Sequence, residues 1–182
     1  MLSLMIGIYL LVASHGIQQS PSTCEPCVPP FWGGVLAGQS TKDHVLRLYG
    51  SGVFTPNEGD SGGTYYRDSK RSITLHVVYY TDEMVGALEL IQGNALPSSA
   101  RASSGAVSRY LKPPFLFEGL TFGATEAAVL SRMGTPSREE KDEEGLRTLV
   151  FLSTCGWDLE SGISFVFRRS RLVKVIYWAA SG

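Results

Sequence analysis

The sequence predicts an α+β fold of two tandem units, each a short helical segment packed on an antiparallel β-meander. One observation behind this is a repeat. Pro29, Val45 and Gly50 recur 84 positions on as Pro113, Val129 and Gly134, and Gly34, Gly38 and Ser40 recur 85 positions on as Gly119, Gly123 and Thr125. Six matches in order, with Pro, Gly and a hydroxyl repeated in kind, argue duplication of one structural unit. A second observation is that each copy places a hydroxyl just before a short apolar stripe that closes at glycine, the pattern of a capped helix. Third, each stripe is followed by runs of alternating apolar residues separated by polar turns, as in antiparallel strands.

In chain order, Leu2 to Ala13 is an apolar run followed by Ser14, His15 and Gly16. It reads as a signal peptide over residues 1–16, too short to span a bilayer. The first Lys or Arg is Lys42, so the cation usual in a leader comes from the amino terminus or lies upstream of Met1. Residues 17–28 form an extended tail whose end Pro29 and Pro30 stiffen, and Phe31 and Trp32 anchor it to a core. The first repeat runs over 29–91: Ser40 or Thr41 caps a helix carrying Val45, Leu46, Leu48 and Tyr49, and Gly50 ends it. Strands follow at Gly63 to Arg67, Ile73 to Tyr80 and Met84 to Ile91. Residues 92–112, rich in Ser, Ala and Gly, form a linker. The second repeat, 113–182, has Thr125 as cap, a helix through Ala127 to Met133, and strands at Leu146 to Ser153, Ile163 to Phe167 and Leu172 to Trp178. Helices this short have to be held by packing on the sheet.

Alternation assigns faces. Ile73, Leu75, Val77 and Tyr79 share one face of their strand, and Thr74, His76, Val78 and Tyr80 the other; in the last strand Val173, Val175 and Tyr177 oppose Leu172, Lys174, Ile176 and Trp178. Both faces are largely apolar, whereas a sheet covered on one side alone shows a cleaner polar face. One face takes the helix; the other packs against the rest of the chain or against a partner. His76, Val78 and Tyr80 in the first unit, and Lys174, Ile176 and Trp178 in the second, are the candidate partner-binding residues. The aromatic pairs Tyr65-Tyr66, Tyr79-Tyr80 and Tyr177-Trp178 each place one ring in the core and one on the opposite face.

With 182 residues, 43% hydrophobic and 18% charged, the chain is long enough for one domain or two small ones, and its net charge of −1 supplies no basic field for nucleic acid or anionic membranes. Three cysteines, Cys24, Cys27 and Cys155, follow the leader. In an oxidising compartment one pair forms and one thiol is left over; a disulfide from the tail to Cys155 is expected, with the exact pairing open. Cys24 and Cys27 have CxxC spacing, but the Pro29-Pro30 that follows does not suit a redox motif between strand and helix. The histidines His15, His44 and His76 lack ligand spacing, so no metal and no cofactor are expected.

Gly59-Asp60-Ser61-Gly62-Gly63 matches the segment around the nucleophile of chymotrypsin-like serine proteases. It covers five residues, lies early in the chain, and has upstream only His15 in the leader and His44 in a helix as bases. Here it reads as a turn between helix and strand. The acidic run Glu139 to Glu144 is expected as a solvated turn and the basic cluster Arg168, Arg169, Arg171 and Lys174 as an exposed, charged hairpin tip; the alternative is that both are electrostatic edges of an interface.

The organisation resembles the fold shared by secreted β-lactamase inhibitor proteins and the small SmpA/OmlA (BamE-like) outer-membrane assembly proteins. The residues that carry it are Gly38, Ser40, Val45 and Gly50, then Gly123, Thr125, Val129 and Gly134, with Val85 and Val173 after the last turns. The inhibitors carry a disulfide in each repeat, which three cysteines cannot supply, and the assembly lipoproteins carry a lipid-anchored cysteine missing here. The resemblance implies helices on one side of a sheet whose concave other side grips a partner. The expected function is therefore an exported, non-catalytic protein-binding module, periplasmic or extracellular and in its finer form inhibitor-like, that takes another exported or envelope protein on the free face of its sheets and has no transmembrane span in the mature chain. The alternatives are an envelope structural protein, a small-ligand carrier, and a small serine hydrolase using Ser61 with His44 or His76 as base.

Overall fold

The protein is represented by a computed structural model in which residues 31–55, 62–68, 70–80, 83–93, 119–153 and 160–180 are described. The expected leader, the tail, most of the linker, Ser61 and the three cysteines lie outside the described residues.

A two-residue ladder, β1 (Phe31–Trp32) with β2 (Val35–Leu36), opens the fold. Helix α1 (Lys42–Tyr49) follows, then β3 (Val53–Thr55), β4 (Gly63–Asp68), β5 (Ile73–Tyr79) and β6 (Val85–Gln92). Helix α2 (Glu126–Met133) precedes β7 (Arg138–Lys141), β8 (Arg147–Ser153), β9 (Ser161–Arg168) and β10 (Arg171–Ala179). Strands β3 to β10 form one antiparallel sheet in the order β3-β4-β5-β6-β10-β9-β8-β7.

The expected α+β fold of two tandem helix-plus-meander units is overturned. The chain is mainly strand, with one eight-stranded sheet, one two-stranded sheet and only two helices of eight residues each among the described residues. The reason is the seam. Strands β6 and β10 pair over five positions, from Lys174↔Ile91 to Trp178↔Ala87, so backbone hydrogen bonds merge what was read as two sheets. Two outer strands were also missed. β7 takes up Glu139 and Glu140 of the supposed acidic loop, and its exposed Arg-Glu-Glu-Lys side chains guard an edge where an apolar strand would invite aggregation. The opposite edge, β3, is three residues long.

Local correspondence between the halves persists inside this sheet. Thr41 and Thr125 cap the helices by accepting from the backbone N–H of His44 (3.3 Å) and Ala128 (3.2 Å). Gly50 and Gly134, at φ 76° and 78°, close them with N–H bonds to Leu46 and Leu130. The residues before each helix then clasp the start of the half's last strand. Gly38 and Ser40 bond to Val85 as Gly123 and Ala124 bond to Leu172. The cap equivalent to Thr125 is thus Thr41, while Ser40 turns its hydroxyl to the Leu36 N–H.

The core lies between the helices and one face of the sheet. Val45 and Tyr49 of α1 and Val129 of α2 cluster with Tyr66, Leu75, Leu90, Val175, Phe165 and Leu149 from successive strands, and Trp32 and Val35 join from the first hairpin. Phe31 does not anchor there; it is 50% exposed. Tyr66, Tyr79 and Tyr177 are the buried members of the three aromatic pairs.

Candidate functional site

Residues opposite one another in antiparallel strands share a face. On the face turned away from the helices, the register places Tyr65, His76, Glu89, Ile176, Ser164 and Val150 in one row across the sheet. A neighbouring row holds Gly63, Val78, Ala87, Trp178, Gly162 and Leu152. Five of the six candidate residues, His76, Val78, Lys174, Ile176 and Trp178, therefore come together on this face, in adjacent rows around the β6–β10 seam.

Tyr80 lies one residue past the last register pair of β5, so the rows do not include it. The pairs Val78↔Ala87 and Tyr79↔Val85 leave Gly86 of β6 as the extra residue of a bulge, and the chain turns with Tyr80 N–H bonded to Met84 O (2.8 Å). Its ring then sits against Gly86, where a Cβ would come within 2.6 Å of it.

A polar network forms the centre. His76 is 8% exposed, and its ring stacks on Tyr65 with centroids 4.0 Å apart and planes 5° from parallel. Nδ1 lies 2.9 Å from Glu89 Oε2, so it carries the proton and donates, since an ionised carboxylate can only accept. The other carboxylate oxygen, Oε1, accepts from Lys174 Nζ at 2.8 Å. Burial pushes the Glu89 carboxyl up, but the His76 hydrogen bond and the Lys174 charge outweigh it and hold the group below the usual carboxylate range. Burial, then the Glu89 charge, raises the Tyr65 hydroxyl, against a hydrogen bond with Thr55.

Glycines shape the face around these rings. His76 Nε2 is buried without a partner among the described residues, and it lies where a Cβ on Gly63 would stand. Trp178 donates from Nε1 to Ser164 Oγ at 3.0 Å, and its ring lies over Gly162, where a Cβ would approach to 3.1 Å. The indole is thus held in one orientation by a hydrogen bond and a flat glycine floor. Sequence reading missed Tyr65, Glu89, Ser164 and the two glycines as parts of this site. Glu89 had a signal: it is the one charged residue in the apolar stretch Val85 to Ile91.

Ser61 of the GDSGG segment lies outside the described residues. Its candidate base His44 sits in α1 with Nε2 bonded to the Gly34 carbonyl at 3.0 Å. Among the described residues there is no cluster of three or more His, Cys, Asp or Glu side chains able to hold a metal ion, and no helix long and apolar enough to cross a membrane.

The fold is similar to that of a solved Bacillus subtilis protein of the DUF4309 family (YjgB), with a TM-score of 0.52 and 15% identity over 81% of this chain and 83% of that one. At that identity the likeness speaks to the fold alone. An extracellular protein containing a SCP domain from Bacillus anthracis matches with a TM-score of 0.44 and 13% identity over 76% of this chain and 43% of that one. This chain spans less than half of the latter's length. No protein-family model matches, and the search of curated proteins finds no relative.

Proposed function

We propose that this chain is an exported, non-catalytic protein-binding module that engages its partner through the sheet face turned away from the helices. Export rests on the leader-like run Leu2 to Ala13. Binding rests on one observation: Trp178 is pinned by Ser164 and Gly162 beside Ile176, Val78 and the half-exposed Leu152 on a continuous sheet. A large aromatic with few torsions left to freeze is the usual energetic centre of an interface, and orientation before binding removes part of the entropic cost. Inhibition of a partner enzyme is the finer form of this reading, suggested by the sequence resemblance.

The test is a pull-down with the mature chain, residues 17–182, against secreted and envelope proteins, repeated with Trp178→Ala. A stoichiometric partner lost in the variant supports the reading. A partner retained at full affinity by a folded Trp178→Ala protein rejects this face.

A hydrolase reading has one observation in its favour, the His76–Glu89 pair, which is how a general base is held. Against it, the Nε2 that would take a proton is closed off beneath Gly63.

A further inference from the structure

Charge is spread unevenly over the proposed binding face, and on the reading above this names the partner's chemistry. Arg67 and Lys174 stand in one row through Thr74 and Ile91. Arg168 lies two residues beyond Val166, the β9 neighbour of Lys174, and so returns to the same face. Both carboxylates placed on this face by the register are already engaged: Glu89 with His76 and Lys174, and Glu140 with Arg138 at 2.6 Å. Arg67 and Arg168 have no anion among the described residues. Toward the other end of the strands the rows turn apolar, through Ile176 to Val78, Trp178 and Leu152, the last 43% exposed. The face is therefore polarised along the strands, cationic near the β9–β10 turn and apolar at the opposite end.

We propose that the partner presents an acidic, extended protein segment whose carboxylate meets Arg168 and whose apolar side chain meets Trp178 and Leu152, while Arg67, four strands away across the sheet at ~19 Å, takes a second carboxylate of the same partner. Arginine suits this role because its planar fork takes a carboxylate through two parallel hydrogen bonds. Arg168 is six residues along β9 from Gly162, the neighbour of Trp178, a rise of ~20 Å, so acid and apolar anchor are separated by about six residues of extended chain.

The probe is a labelled peptide with two aspartates and a phenylalanine about six residues away, read by fluorescence anisotropy against the full-length protein. Its lysine-for-aspartate counterpart and phosphatidylglycerol vesicles are the controls. The aspartate peptide is expected to bind and the lysine peptide not. Arg67→Glu with Arg168→Glu should weaken the aspartate peptide by about tenfold or more, since like charges then face each other. Arg67→Gln with Arg168→Gln, milder for folding, should give a smaller loss. Equal binding of the two peptides, or indifference of the aspartate peptide to both double variants, overturns the proposal. Vesicle binding that depends on the two arginines, with no peptide binding, also overturns it and assigns the patch to a lipid surface. A protein partner that depends on Trp178 but ignores the arginine variants sinks this inference and leaves the proposed function standing; a partner that ignores Trp178 sinks the proposed function itself.

Discussion

Glu89 and Ile176 lie side by side across the β6–β10 seam, at corresponding positions of the two halves. Val85 and Leu172 are the residues clasped, near the start of each last strand, by the segments before the helices, and each of the pair stands four residues further on. Each last strand also carries its irregularity in the same place, one residue after that start. The seam thus joins equivalent strands about a local twofold, with a carboxylate on one side of the axis and an aliphatic side chain on the other. The backbone is repeated there; the chemistry is not.

Glu89→Gln should destabilise the fold at neutral pH by on the order of 1–3 kcal/mol, because it withdraws a charged acceptor from both His76 and Lys174. The folded carboxyl is held below its unfolded value. Its contribution is therefore present above the ordinary carboxylate range and is lost as the pH falls through the depressed folded value. Urea denaturation of both proteins at pH 7 and in acid should show the gap closing on acidification; a gap constant with pH contradicts the assignment.

Gly63→Ala should cost about 1–3 kcal/mol through overpacking against His76. In a His76→Ala background much of that cost should disappear, although Val77 O, 3.1 Å from the added Cβ, retains some of it. A double-mutant cycle by denaturation checks this. Additive effects would mean that the ring moves aside freely.

Trp178→Ala should lower affinity for a captured partner by about 30-fold or more, the loss of roughly 2 kcal/mol expected of an interface centre. Isothermal titration measures it, with circular dichroism confirming the fold.

Alkaline unfolding should coincide with tyrosine ionisation. Burial pushes the Tyr49 hydroxyl up to about 12 and raises Tyr66 and Tyr177 as well. Their raised folded values stabilise the protein below the ordinary tyrosine range, and that stability drains away as the pH climbs past it toward the folded values. Absorbance near ~295 nm, followed together with circular dichroism, should rise in one cooperative step, since these rings are core members.

A serine-directed fluorophosphonate should leave Ser61 unmodified. Labelling that vanishes in Ser61→Ala would make the chain a hydrolase and displace the binding-module reading.

Alternation made much of the candidate site legible before any coordinates: His76, Val78, Lys174, Ile176 and Trp178 share a face because period-two placement survives wherever strands pair regularly. Tyr80 lies one residue past the last register pair of β5, so the rows do not reach it. The helices were readable from Thr41, Thr125, Gly50 and Gly134, whose side chains or conformations are dictated by the helix ends. β7 was not, because an edge strand exposed along its whole length leaves no apolar pattern in Arg138 to Lys141. Nor was the seam. Pairing between Leu88 and Tyr177 is a choice of partner, and two apolar strands advertise equally well as neighbours in one sheet or as edges of two.

That seam also sets an order of events for the growing chain. β6 finds its second neighbour only in β10, and Glu89 and Lys174 are 85 residues apart, so the sheet stays open at its middle until β10 has been made. Such distant pairing is slow to form, and until then the apolar edge of β6 is available to other chains. The half made first therefore cannot complete its sheet until β10 arrives, and the two halves have to close together.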